Sequence, residues 1–361
     1  IAIVMAVNAW RENSKAILES SRRAAICSFP LLTVAIGVLL YLLLSNQFEY
    51  AYVYQTIEAS LPIYLKIAAL WGGQEGSLLF WCWLLSAFIF FALINKKNLD
   101  HALTPWVIII SSFTLGFFLL LVILLENPFL HFYIDMNGDV IKAIIQPPYT
   151  LQASPEFGTG MNPLLYHIGM VLHPPALYLG FVGFIIPFSY AIAALITKRE
   201  DDLWIRKSQK WSLLAWLFLS IGLVLGSRWA YDVLGWGGYW SWDPVEVAAL
   251  LPWLTSTAYL HSSLVQEKRG FFKHWSSSLI ILTFCTVILG TFLTRSGLLS
   301  SVHAFNQSAI GTYFFIFTAV MLLGSVILMG LRWSIMKTPF ELKSYFSREA
   351  LFILNNLLFI A

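Results

Sequence analysis

The chain has 361 residues, of which 58% are hydrophobic and 11% charged, and its formal net charge is +3. A soluble chain of this length carries about a quarter charged residues, so a soluble globular domain is excluded and a polytopic membrane protein is expected. The near-neutral balance implies no nucleic-acid partner.

Apolar runs of helical length predict spans near 29–45, 77–95, 104–125, 174–196, 211–227, 247–265, 275–294 and 312–331, with a ninth run opening at about 350. The expected fold is all-α: one multi-span transmembrane helical bundle over 1–361, embedded in a lipid bilayer. The chain opens inside an apolar run, IAIVMAVNAW, without an initiator Met. Both ends are expected to be trimmed, and no cleaved signal peptide is evident.

Charge orients the bundle. Segments 1–28, 96–103, 197–210, 266–274 and 332–349 hold 18 of the 22 Lys and Arg residues. The opposite set holds only Lys66, Lys142, Arg228 and Arg295. By the positive-inside rule the first set is cytoplasmic and the second faces outward. The outward set includes a long loop at 126–173 and an aromatic segment at 228–246.

Some chemistries are absent from the sequence. No Walker loop, GxSxG or HExxH occurs, which argues against ATP-driven transport and metalloprotease chemistry. Cys27, Cys82 and Cys285 lie in or beside predicted spans without CxxC spacing and are read as small apolar packing residues. There is no Cys-x-x-Cys-His, so the chain does not itself attach haem covalently.

The segment WGGYWSWDPVE, Trp236 to Glu246, stands out. Its tail has a structural explanation. Asp243 before Pro244, with Glu246 three residues on, forms an N-cap, a first-turn proline and a capping-box acid. Asn162 before Pro163 repeats the device. The aromatic part permits two readings. Interfacial belts use Trp and Tyr routinely. Yet Trp236, Trp240 and Trp242 crowd one strip, with Trp229 and Tyr231 just upstream, and Gly235, Gly237 and Gly238 allow close backbone approach. Such a strip suits a large planar ligand, a porphyrin better than a quinone.

Seven histidines narrow the choice. His101 and His274 lie in basic cytoplasmic loops, and His131 and His167 are outside without a supporting pattern. His173 precedes Pro174-Pro175, which predicts an imidazole on a rigid corner just before a helix. His303 lies in the outward RSGLLSSVHAF loop. The two bracket the Trp strip on one face and suggest axial ligands to haem iron. His261 falls about 21 Å into a core about 30 Å thick. It is either hydrogen-bonded to neighbouring hydroxyls or part of a buried functional site.

The strip resembles the tryptophan-rich WWD signature of haem-handling membrane proteins, a group that includes the CcmC, CcmF and CcsA types. MVLHPPALYLGFVGF, AWLFLSIGLVLGSRWAYDVLGWGG, WLTSTAYLHSSLVQEKRG and LGTFLTRSGLLSSVHAF together look like the CcmF type, as do WGGQEGS at 71–77 and SREALFILNN at 347–356. The resemblance runs the length of the chain and extends to the paralogue NrfE. It favours these over CcmC, which is shorter and lacks the TFLTRSG…SVHAF block.

The resemblance implies a haem lyase core of System I cytochrome c maturation. Haem b would arrive from the chaperone CcmE and be joined, with CcmH and where present CcmI, to Cys-x-x-Cys-His of an apocytochrome c. It implies an outer, transferable haem held by His173 and His303 against Trp236, Gly237, Gly238, Trp240, Trp242 and Asp243. It also implies an embedded structural haem b on His261, whose second ligand has no counterpart in this sequence. Arg228 and Arg295, the nearest outer cations, are candidates for the propionates. The implied location is a bacterial inner membrane with a periplasmic active face; a mitochondrial inner membrane fits the same sequence. Tyr239 and Ser241 replace larger aromatics, and Val247 replaces an Asn, usual in the family. A haem or quinone transporter and a passive haem-binding scaffold are the alternatives from other classes.

Overall fold

The computed structural model describes residues 1–96, 99–235, 237–299, 301, 309–336 and 348–359. Helices α1 (Ala2–Arg11), α2 (Lys15–Ile26) and α3 (Ser28–Leu44) open the chain. Two short helices follow, α4 (Ala51–Thr56) and α5 (Ile63–Ala68), and then the long α6 (Gln74–Leu93) and α7 (Thr104–Leu124). Strands β1 (His131–Ile134), β2 (Val140–Ala143) and β3 (Leu151–Gln152) lie in the next loop. Helices α8 (Gly169–Gly183), α9 (Ile185–Ile196), α10 (Leu203–Val233), α11 (Pro244–Arg269), α12 (Lys273–Arg295), α13 (Ile310–Leu331) and α14 (Arg348–Leu358) complete the order.

Among the described residues, seven helical stretches are long and apolar enough to cross a membrane, with α2–α3 and α8–α9 each counting as one. They match seven of the eight expected spans, and the chain is a multi-pass helical membrane protein. The expected span at 247–265 forms helix α11, which is less apolar than the other seven. Its Thr255, Ser256, Thr257, Ser262 and Ser263 are buried rather than facing lipid. Thr257 Oγ1 accepts from Trp216 Nε1 on α10 at 2.9 Å. Thr255 Oγ1 accepts from Thr283 Oγ1 on α12 at 3.0 Å. Side-chain hydroxyls that bond across helices replace apolar packing there. Cys82 and Cys285 are buried as expected, whereas Cys27 is exposed between α2 and α3.

The small sheet in the 126–173 loop was not anticipated. Its order is β2-β1-β3, both pairs antiparallel, with His131 opposite Ala143 and Tyr133 opposite Gln152. A turn at Asp135–Asp139 closes β1 onto β2, Asp135 Oδ1 accepting from the amides of Asn137 and Asp139 at 2.8 Å each. Strands of two to four residues carry too few alternations to register as a period in the sequence.

The Lys/Arg-rich ends are interlocked. Arg22 is buried and donates to the Leu93 carbonyl at 2.9 Å, capping the end of α6. Arg199 pairs with Asp100 at 3.2 Å and with Asp201 at 2.6 Å, joining two loops. Gln266 Nε2 donates to Asp202 at 2.7 Å. At its C-terminus α11 stops at Gly270, whose φ of 70° only glycine adopts readily.

Helices α8 and α10 run antiparallel and meet backbone to backbone. A Cβ built on Gly180 would lie 2.6 Å from the Leu219 amide nitrogen, and one on Gly222 would lie 2.8 Å from that of Leu177. Small residues permit such approach, and membrane helices gain packing contacts by it. Helix α10 has 31 residues. At about 1.5 Å each it outreaches a 30 Å core and carries its last turns beyond the Lys/Arg-poor face.

Candidate functional site

At that face a cavity of about 730 Å³ opens among α8, α10, the start of α6, the end of α12 and the segment before α11. Its size lies in the usual range for small-molecule sites, roughly 300–1,000 Å³.

One wall is α8, and its first turns are irregular for a reason visible in the sequence. Pro174 has no N–H, so the carbonyl of Met170 loses its helical donor. Trp71 fills the gap, its Nε1 donating to the Met170 carbonyl at 2.8 Å. The turn into the helix is tight, with Met170 N bonding the His167 carbonyl and Val171 N that of Ile168. His173 therefore sits inside α8. The expected corner before a helix at 174 is corrected: the helix starts at Gly169, because Trp71 satisfies the carbonyl that the prolines leave open.

The His173 ring crosses the seam to α10. Its Nδ1 lies 2.7 Å from the Gly222 carbonyl. A carbonyl only accepts, so Nδ1 carries the proton and Nε2 the lone pair. A backbone carbonyl on one ring nitrogen fixes the orientation of an imidazole whose other nitrogen can ligate a metal. Trp229 meets the same ring edge-on at 5.7 Å. Both line the cavity.

The inner end is polar. Arg295 is 1% exposed, lines the cavity and donates to the Gln74 carbonyl at 3.3 Å. Gln74 Nε2 in turn donates to Glu126 at 2.7 Å. Glu75 and Tyr178 complete this region. None of Trp71, Gln74, Glu75, Glu126 and Tyr178 was singled out from the sequence as a site residue. The prolines of α8 signalled a missing donor, but nothing local named Trp71 as its replacement.

The aromatic segment divides. Trp240 lines the cavity with Tyr239, which stacks on Tyr231 at 4.6 Å and 9°. Trp242 does not; it is 73% exposed. The rings of Trp240 and Trp242 meet at 86°, so these two indoles are not coplanar. The backbone turns sharply at Trp242, with φ of 60°, and directs its ring away. Gly237 and Gly238 do not line the cavity either, and a Cβ on Gly237 would meet nothing within 4 Å.

Asp243 and Glu246 form the expected capping box. Asp243 Oδ1 accepts from Val245 N at 2.8 Å, and Glu246 Oε2 accepts from Asp243 N at 3.3 Å. Asn162 likewise accepts from Leu164 N at 3.0 Å, but the element it starts is a single 3-10 turn. Nearby, burial and then the neighbouring Glu58 push the Tyr166 phenol up from its ordinary value.

Arg228 lies away from the cavity: its side chain is 64% exposed and pairs with Asp232 at 3.0 Å. His261 is remote from the cavity on α11, its Nδ1 2.8 Å from the Thr257 carbonyl and its ring beside Phe352 and Phe359. Trp236 and His303 lie outside the described residues. Among the described residues no three His, Cys, Asp or Glu side chains gather to hold a bare metal ion.

Residues 71–303 match the family described as Cytochrome C assembly protein. That stretch includes Trp71 at one cavity wall and the whole α8–α12 frame. The chain belongs to the cytochrome c assembly protein family. It is 41% identical over 352 residues to the cytochrome c-type biogenesis protein CcmF of Pseudomonas aeruginosa, covering 97% of this chain and 50% of that one. It is 38% identical to CcmF of Escherichia coli, covering 96% and 50%. The cytochrome c-type biogenesis protein NrfE of Haemophilus influenzae is 39% identical over 80% of this chain and 43% of its own length. Among solved structures, Cytochrome c Heme Lyase CcmF superposes with a TM-score of 0.75 at 29% identity, covering 99% of this chain and 51% of that chain. The chain thus spans about half the length of the curated relatives it matches. The resemblance to CcmF and the helical membrane fold expected from the sequence both hold.

Proposed function

We propose that this protein is the haem-holding part of a cytochrome c haem lyase, with the cavity as its outer haem site. The observation that carries the reading is the His173 ring: a backbone carbonyl on Nδ1 fixes the orientation of the imidazole, in the wall of a cavity of suitable size, with Nε2 as the proposed ligating nitrogen.

His303 would supply the second axial ligand. Ser301, two residues before it, donates to Asp243 Oδ1 at 2.8 Å. Trp229, Tyr239 and Trp240 would pack on the porphyrin, and Trp236, Gly237, Gly238, Trp242 and Asp243 would complete the haem-binding segment. Buried Arg295 is the propionate partner. Arg228, paired and exposed, is set aside.

The reaction adds a thiol across each vinyl group of the bound haem substrate. The chain's contribution is to hold that substrate in one orientation and out of bulk water. In this reading haem b comes from CcmE, the apocytochrome c is presented with CcmH and CcmI, and the active face is periplasmic on the bacterial inner membrane. His261 has the ligating geometry for an embedded haem b, Nδ1 donating to the Thr257 carbonyl. Its second ligand would lie outside the described residues. The chain forms a single multi-span domain.

The test is reconstitution of the full-length protein with apocytochrome and the haem chaperone. His173→Ala should abolish both the low-spin visible bands of the outer haem and covalent holocytochrome. Covalent product at the normal level in that variant would refute the axial role.

A further inference from the structure

His167 stands six residues before His173, just outside the start of α8, and nothing in its sequence surroundings marked it. Its Nδ1 accepts from the Gly169 amide at 3.0 Å. The ring proton therefore sits on Nε2, which lies 3.8 Å from Asp232 Oδ2. The ring is nearly parallel to Trp229, at 13° and a centroid separation of 6.5 Å. Trp229 is held from other sides as well. A Cβ on Gly169 would lie 2.6 Å from its Cγ, so the helix backbone presses on the indole. The indole in turn meets His173 edge-on. Asp232 also accepts from Arg228 Nε at 3.0 Å.

We propose that His167 is a positioning residue: it locks the first turn of α8 and clamps Trp229 against His173, fixing the plane of the His173 imidazole. This rests on the reading of His173 as a haem ligand. Two independent contacts serve the clamp. The Nδ1 acceptor satisfies an amide that the helix start leaves open. The stacked face limits the indole, and through it the edge that touches His173. Groups that orient a ligating histidine commonly change affinity by 10–100-fold when removed.

The experiment uses the full-length protein in detergent, wild type against His167→Ala and His167→Asn. Asparagine keeps an acceptor two residues before Gly169, as in an Asx turn, without the ring. Three quantities are read: amide exchange over residues 168–172 in haem-free protein, the low-temperature paramagnetic resonance signature of bound ferric haem, and its dissociation rate. His167→Ala should speed exchange at Gly169, alter the resonance anisotropy and raise the dissociation rate about 10-fold. His167→Asn should restore protection and bring dissociation within about 3-fold of wild type. The proposal is overturned if His167→Ala matches wild type in exchange and resonance, or if His167→Asn is as defective as His167→Ala. If the wild-type spectrum is unchanged by His173→Ala, the haem reading fails, while the exchange data still decide whether the clamp exists.

Discussion

Gly226 and His173 touch across the α8–α10 seam so closely that a Cβ on Gly226 would lie 2.5 Å from His173 Cε1. Alanine would favour the helix by about 1 kcal/mol, but here it collides with the imidazole. The ring is a side chain and can swing, so α10 should persist. Gly226→Ala is expected to keep the helical circular dichroism of the wild type and to lose the outer haem bands in the visible spectrum.

Trp71, in the turn just before α6, is tied to α8 by one hydrogen bond. Trp71→Phe keeps most of the packing and removes the donor, which leaves the Met170 carbonyl unsatisfied in a buried place. Such a loss costs about 1–3 kcal/mol. Thermal unfolding in detergent should show a lower midpoint, and Pro174→Ala in the same background, which returns a helical donor, should recover part of it.

Arg295 tests which end of the haem lies inward. If its guanidinium meets a propionate, wild type should bind haem about 10-fold or more tighter than the haem dimethyl ester, since a buried charged hydrogen bond is worth about 1.5–3 kcal/mol. Arg295→Met should bind both alike. Equal binding by the wild type would remove Arg295 from the site's recognition.

Asp243 separates capping from chemistry. Asp243→Asn preserves the acceptor at the N-cap and should leave holocytochrome yield within about twofold. Asp243→Ala should destabilise by about 0.5–2 kcal/mol, read as a fall in the melting temperature. A large loss of yield in Asp243→Asn would give the carboxylate a role beyond the cap.

The Arg199 guanidinium, hydrogen-bonded to Asp201, holds that carboxyl below the usual carboxylate range. A depressed native pKa means the unfolded chain binds the proton more readily. The pair's contribution is therefore complete above the unfolded value of about 3.9 and fades as pH falls through the lower native one. The melting temperature of Arg199→Gln should fall less than that of wild type between pH 5 and pH 3.

What could be read from the sequence was what local rules determine. The span positions, the charge bias and the capping box at Asp243 each depend on neighbours a few residues apart. The site depended on distant partners. His173 looked like a corner because Pro174-Pro175 normally break a helix; Trp71, about a hundred residues upstream, removes the reason to break. Trp242 looked like a wall of the site, but its backbone conformation aims it outward. Arg228 was a candidate only until Asp232, one turn further on α10, claimed it. The span at 247–265 was legible as a helix, but not that Thr255 and Thr257 on it bond to Thr283 and Trp216 on the neighbouring helices.

At Gly180 and Gly222 the seam brings backbone against backbone, with no room for a side chain between the two helices. A planar guest as broad as a porphyrin has no door between α8 and α10. On the other wall Gly235 and Gly237 turn the chain with φ of 70°, and the exposed Tyr239 lines the cavity with Trp240. The aromatic strip is thus as much a threshold as a resting place, and its glycines set how far it can be pushed open.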